Sequence, residues 1–278
     1  MTYNEYTELG RSYLMVTFRR LFMLAPALLA GSALATIAAA QASPARGATP
    51  AVPTSPAPAG RGAAAPANAN AAATPAARGP APTLTKPITP TKTPDAQGFI
   101  PRWLLLEPIP FNSLTENAVR AGVKKDYFPN QFTVIPKDGD KVTVDGKELT
   151  WHAVDTKLYN VNLYHFAWAL NKETSNVLFW TVTIVNCAQD IPNVRLAVGS
   201  NAASIWWVNG QEVASLFLDR QTVIDDAVSK RITLKKGANV VRAAVINGGG
   251  ATDFCARFLD ADDKPLKGYT VSLSMPGM

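Results

Sequence analysis

From residue 98 onward the sequence predicts an all-β fold, an antiparallel, jelly-roll-like β-sandwich. Three observations carry that prediction. Short runs of β-branched and aromatic residues recur from Trp103 to Leu273, each bounded by turn-forming residues. Two dipeptides that tolerate positive φ, Asp145-Gly146 and Asn209-Gly210, sit between such runs as two-residue hairpin turns. Helical periodicity is nearly absent outside one stretch, Thr115–Lys125.

Residues 1–42 read as an export signal, which predicts a periplasmic or extracellular protein. Arg19-Arg20 precede an apolar run from Leu21 to Ala40, and Ala40-Gln41-Ala42 is a small-x-small cleavage site. A retained anchor is the alternative, since the run approaches the ~20 residues that span a bilayer. Pro26, Gly31, Ser32 and Thr36 dilute the run and favour cleavage. The twin-arginine pattern is only partly met, so the export route stays open, and Met15 is an alternative start.

Residues 43–97 form an Ala/Pro-rich stretch that holds 12 of the 21 prolines and no aromatic residue. Such a segment cannot bury enough apolar surface to offset the entropy of ordering it, which predicts a disordered, semi-stiff linker. All six tryptophans lie at Trp103 or later, so one folded domain is expected over residues 98–278.

Splitting the charge by segment argues against a nucleic-acid partner. Residues 1–97 carry 8 Lys+Arg against 3 Asp+Glu; of the totals of 27 and 21, that leaves 19 against 18 for the rest. A nearly neutral domain lacks the basic footprint that phosphate binding requires.

Within the domain, Trp103–Leu106 reads as a short apolar strand closed off by Pro108 and Pro110, which interrupt ladder pairing. Thr115–Lys125 reads as a short helix. Lys141–Val144 and Lys147–Trp151 flank the first hairpin turn. Ser204–Val208 and Glu212–Phe217 flank the second. Further strands are expected at Val177–Val185, Val194–Gly199, Lys230–Leu234, Ala238–Ile246, Phe254–Asp260 and Tyr269–Leu273.

Alternation assigns faces. Leu178, Trp180, Val182 and Ile184 share one face and are expected in the core, with Thr181, Thr183 and Cys187 opposite. Phe254, Ala256 and Phe258 likewise point inward, leaving Cys255 and Arg257 outward. A pair of cysteines in an exported protein raises a Cys187–Cys255 disulfide; two unpaired thiols tucked under loops is the other reading.

The run Gly199-Ser200-Asn201-Ala202, then Trp207-Val208-Asn209-Gly210, Arg220, Ile232-Thr-Leu-Lys-Lys-Gly-Ala-Asn-Val-Val, Asn247-Gly248 and Phe254-Cys-Ala-Arg-Phe resembles the accessory β-sandwich domain of secreted bacterial polysaccharide-degrading enzymes. It is similar in particular to the domain of proteins bearing the acetylxylan esterase name. Trp103-Leu-Leu-Leu-Glu-Pro-Ile-Pro fits that family's usual opening, and the resemblance covers about Gly98–Ser274. Where relatives often carry two aspartates after Gly-Ser, this chain has Asn201 and Ala202, which weakens any cation or sugar role they serve.

The chain contains no Gly-x-Ser-x-Gly elbow, no His-Glu-x-x-His and no Walker-type loop. His152 and His165 are its two histidines, each beside aromatic residues, where a packed imidazole is commoner than a general base. Asp225-Asp226 and Asp260/Asp262/Asp263 offer oxygen ligands of the kind calcium takes, but surface turns use aspartate equally well for backbone capping. No cofactor is therefore expected.

Trp206 and Trp207 are consecutive in a strand and point to opposite faces. Trp207 shares a face with Ile205, which assigns it to the core and turns Trp206 outward as a platform for a sugar ring. Burial of Trp206 beneath the 112–159 region is the competing expectation. With the family topology, the resemblance implies Asn201, Arg220 and Asn247 as polar neighbours. Three functions follow: a non-catalytic carbohydrate-binding or accessory module of a secreted polysaccharide-degrading system, with a polysaccharide such as xylan and a separate catalytic subunit as partners; an acetylxylan esterase-like enzyme; or a structural or cell-surface interaction domain.

Overall fold

A computed structural model describes residues 80–275. The expected leader and most of the expected linker lie outside the described residues. Every strand pairing is antiparallel, and two sheets face each other across a hydrophobic core.

The larger sheet has ten strands. Its central path runs β10 (Gln211–Leu216), β9 (Ser204–Val208), β13 (Gly237–Asn247), β7 (Val177–Cys187), β2 (Arg102–Leu106), β5 (Lys147–Asp155) and β4 (Lys141–Val144). The 11-residue β7 is its spine. One edge of β7 pairs with β13 along its whole length; the other meets β15 (Tyr269–Ser272), β2 and β3 (Ile109–Pro110) in succession. β1 (Thr91–Lys92) extends the sheet beyond β15. The smaller sheet runs β11 (Ala227–Val228), β8 (Ile191–Ser200), β14 (Asp253–Leu259) and β6 (Val161–Asn162), with β12 (Ile232–Leu234) also on β8. Both expected hairpin turns form, with positive φ at Asp145 (47°), Gly146 (78°), Asn209 (51°) and Gly210 (80°).

Two helices complete the fold. α1 (Glu116–Val123) buries Val119 and Val123; Arg120 pairs with Glu116 one turn back at 2.8 Å and ties the helix to Glu212 on β10 at 2.8 Å. α2 (Leu163–Ala169) occupies a stretch whose run of aromatics reads more like a strand. Its Leu163, Phe166 and Ala167 recur at helical spacing and are buried, and the Asn162 side chain caps it by accepting from the His165 amide at 2.7 Å.

The larger sheet is buried on both faces, which revises the face assignment. Val177, Phe179, Val185 and Cys187 of β7 look toward the smaller sheet, as do Trp103 and Trp206, and meet Phe254 and Phe258 of β14 in the core between the sheets. Leu178, Trp180 and Val182 are buried too, but on the outer face, under Val119 and Val123 of α1 and under Tyr127 and Phe128. A β7 whose nine residues Val177–Val185 are all buried has no exposed face, and its polar residues Thr181 and Thr183 share the side of Phe179 and Val185 that faces the smaller sheet.

The folded part also begins earlier than Gly98. Arg102, 1% exposed, donates from Nε to Asp155 Oδ1 at 2.7 Å and from Nη1 to the Thr89 carbonyl at 2.6 Å. The Asp155 amide donates to the Thr85 carbonyl at 2.8 Å, and Leu84 packs on the core. The last stretch of the expected linker is thus ordered by the hydrogen-bonding needs of a buried guanidinium and a sheet edge.

The Cys187–Cys255 disulfide does not form; both thiols are free and buried. Cys187 lies in the larger sheet opposite Gly237 and Tyr269, whereas Cys255 lies in the smaller sheet opposite Gly199, on its outer face. Burial, with the Asp225 charge adding to it, pushes the Cys255 thiol up to about 12. Burial and Asp190 raise Cys187 as well.

Candidate functional site

At one end of the smaller sheet, β8 finishes at Ser200, β14 starts at Asp253, and β6 runs into α2. Asp253 organises the loops there. Its carboxylate accepts from Asn160 Nδ2 and from Thr222 Oγ1, so it clamps the loop before β6 to the loop after β10. Its carbonyl accepts from the Asn201 amide at 2.9 Å, and the neighbouring Thr252 carbonyl accepts from the Leu163 and Tyr164 amides at 2.9 and 3.0 Å. The second loop crosses the sheet closely enough to require Gly199: a Cβ there would lie 1.9 Å from the Val223 carbonyl oxygen.

Two expected site residues lie at this end. Asn201 is half-buried beside Asp253, and the Ala202 amide donates to the Arg220 carbonyl at 3.1 Å. The Arg220 guanidinium is ion-paired with Asp226. The other two expectations are corrected. Trp206 is fully buried, edge-on to Trp103 at 6.1 Å and Phe254 at 5.4 Å, with its indole N–H donating to Ser204 Oγ at 2.9 Å. It points into the space between the sheets and offers no platform. Asn247 is also fully buried; its Oδ1 accepts from the Gly249 amide at 3.0 Å and its Nδ2 donates to the Thr174 carbonyl, so it holds a turn. The residue beneath the 112–159 region is Trp207, stacked on Trp180 at 5.9 Å and touched by Phe132.

The aromatic surface at this end comes instead from α2. Because Leu163, Phe166 and Ala167 face inward, Tyr164, His165 and Trp168 are left on the outer side, their ring centres 6.1 Å apart pairwise. Tyr164 and Trp168 are half-buried and His165 is exposed. Leu158 and Tyr159, 67% and 38% exposed, stand on the loop that Asn160 anchors; Val223 and Ile224 stand exposed on the loop that Thr222 anchors. From the sequence alone, His165 is weighed only as a general base and the others are given no binding role. The signal that finds them is the i, i+3, i+4 spacing of Leu163, Phe166 and Ala167 after the capping Asn162.

The acidic pairs have structural partners. Asp225 is ion-paired with Arg257 and Asp226 with Arg220; Asp260 Oδ1 accepts from the Asp262 and Lys264 amides. Among the described residues no group of three His, Cys, Asp or Glu side chains is placed to hold a metal ion. His152 Nε2 lies 3.3 Å from Glu107, which also meets Lys172 at 2.9 Å. Burial raises the Glu107 carboxyl, but its bonds to Lys172 and His152 outweigh that and hold it below its usual range. Among the described residues no helix is long and apolar enough to cross a membrane.

No family model matches this chain, and no curated protein does. Among solved structures it is similar to the PA14 sugar-binding domain from an RTX adhesin, at 12% identity and a TM-score of 0.39, over 62% of this chain and 99% of that one. It is similar to the PA14 domain of an antifreeze protein at 14% and 0.36, over 67% and 98%. A β-glucosidase from Kluyveromyces marxianus in complex with glucose gives 15% and 0.30, and there the match spans 17% of that chain.

Proposed function

We propose that this protein is a non-catalytic carbohydrate-binding module. The observation that supports the reading is the outward aromatic group Tyr164, His165 and Trp168 beside the polar loop cluster of Asn160, Asn201, Thr222 and Asp253. A pyranose ring offers a C–H face that stacks on an aromatic side chain, and its hydroxyls need polar partners at the ring edge. We take the ligand to be a polysaccharide such as xylan and the setting to be the periplasm or the exterior, reached by removal of residues 1–42. The exposed Leu158, Tyr159, Val223 and Ile224 favour an accompanying role, docking onto a separate catalytic subunit.

Pull-down on insoluble xylan, cellulose and mannan tests the reading. Wild type should be retained by at least one, and Trp168→Ala should lose most of that retention with its melting temperature nearly unchanged. Failure of all three polysaccharides to retain the wild type, or full retention by Trp168→Ala, would overturn it. Mass spectrometry of the secreted protein should find Ser43 as the first residue.

A further inference from the structure

The outer core of the larger sheet, away from the loop end, contains three buried nitrogen donors with no acceptor: Trp151 Nε1, Trp180 Nε1 and Arg242 Nη1. Trp151 and Trp180 are fully buried and Arg242 is 2% exposed. Arg242 stands directly opposite Trp207 across β13 and β9, and Trp207 stacks on Trp180. Phe128 lies edge-on to both Trp151 (6.1 Å) and Trp180 (6.2 Å). The three residues thus share the outer face of the larger sheet, Trp151 linked to Trp180 through Phe128 and Arg242 lying beside Trp207.

Arg242 is the decisive member. Its Nη2 donates to the Val134 carbonyl, and among the described residues no carboxylate pairs with it. Arg102, the other buried arginine, has the full complement of Asp155 and Thr89. Desolvation of Arg242 is strong enough to bring its guanidinium down to about 10. A buried cation without an anion is costly, and hydrophobic side chains of similar volume commonly replace buried charges without loss of stability. Packing alone gives no reason for an arginine here.

A depression of about 600 Å³ lies against the segment Asp126–Thr133. Phe128 and Phe132 line it and also touch the buried tryptophans, Phe132 at 5.4 Å from Trp180 and 5.6 Å from Trp207. Phe132 is 37% exposed, so its ring stands between the depression and the Trp180–Trp207 pair. We propose that displacement of Phe132 opens a binding site for a carboxylate-bearing ring, with the carboxylate on Arg242 Nη1 and the ring against Trp180 and Trp207. A carboxylate supplies the missing negative charge and acceptors together, and the paired indoles supply a flat wall.

The intact mature protein is melted and its tryptophan fluorescence followed with D-glucuronate, benzoate, D-glucose and sulfate as probes. At about 100-fold excess over Kd, a bound carboxylate should raise the melting temperature by roughly 5–10 °C and change the fluorescence. Glucose and sulfate should do neither. A response to glucuronate identifies a sugar acid, and a response to benzoate an aromatic acid. Arg242→Met should abolish the response while melting no lower than wild type. Phe132→Ala, at an exposed position, should fold and should speed the fluorescence change several-fold. Silence toward both carboxylates, a response that survives in Arg242→Met, a lowered melting temperature for that variant, or an unchanged rate in Phe132→Ala would each overturn the proposal.

Discussion

Trp206 and Trp207 are neighbours in sequence and belong to two different hydrophobic cores. Trp206 packs between the sheets on Trp103 and Phe254; Trp207 packs on the outer face on Trp180 and Phe132. The larger sheet separates them and depends on both. Trp206→Ala and Trp207→Ala should each destabilise the domain by about 3–5 kcal/mol, seen as a lowered midpoint in urea at unchanged slope. A Trp206→Ala variant that melts like wild type would contradict its place in the inner core.

Asp155 and Arg102 form a buried two-point pair, Nε to Oδ1 at 2.7 Å and Nη2 to Oδ2 at 2.9 Å. Removing the carboxylate leaves the guanidinium uncompensated, so Asp155→Ala should cost about 3–5 kcal/mol. Because Arg102 also holds the Thr89 carbonyl, that variant should become susceptible to proteolysis between Leu84 and Gln97.

The same pair sets the acid limb of stability. Burial raises the Asp155 carboxyl, but the Arg102 and Lys92 charges outweigh it and hold it below its ordinary value. Glu107 is lowered in the same sense. For a carboxyl depressed in the folded state, the stabilisation is fully present above the unfolded pKa, about 4, and is lost as pH falls through the folded value. Urea midpoints should hold from neutral pH to about pH 5 and fall below about pH 4, with a shallower fall in Asp155→Asn.

Cys187 and Cys255 should both titrate as free thiols, and only after unfolding. Burial keeps each protonated, and an unionised, inaccessible thiol is a poor nucleophile. Ellman's reagent should find no reactive thiol in the native protein and two in guanidinium. Intact mass spectrometry that found a disulfide would contradict the placement of the two residues in different sheets.

Limited proteolysis should leave a resistant core that starts between residues 80 and 91 and not at Gly98, since Thr85, Thr89 and Thr91 are all tied to the sheet. A core starting at Gly98 would mean that these ties do not hold the segment.

The sequence by itself determined what local chemistry can encode. Asn209-Gly210 and Asp145-Gly146 specify their hairpins because few other dipeptides take two positive φ angles cheaply, and Lys141–Val144 and Ser204–Val208 are strands with the expected bounds. Tertiary structure decided which faces are covered. Alternation tells which residues share a face, but it needs an exposed face as reference, and Val177–Val185 has none once α1 and the 124–136 segment cover its outer side; Thr181 and Thr183 turn inward. Trp206 could not be placed for the same reason: in a sheet buried on both sides, being opposite a core residue does not mean being exposed. The Asn201 amide reaches Asp253 only because loops distant in sequence are clamped there, and the unpaired state of Arg242 is visible only after every neighbour of β13 is in position. Such properties depend on contacts between elements, which no local run of residues records.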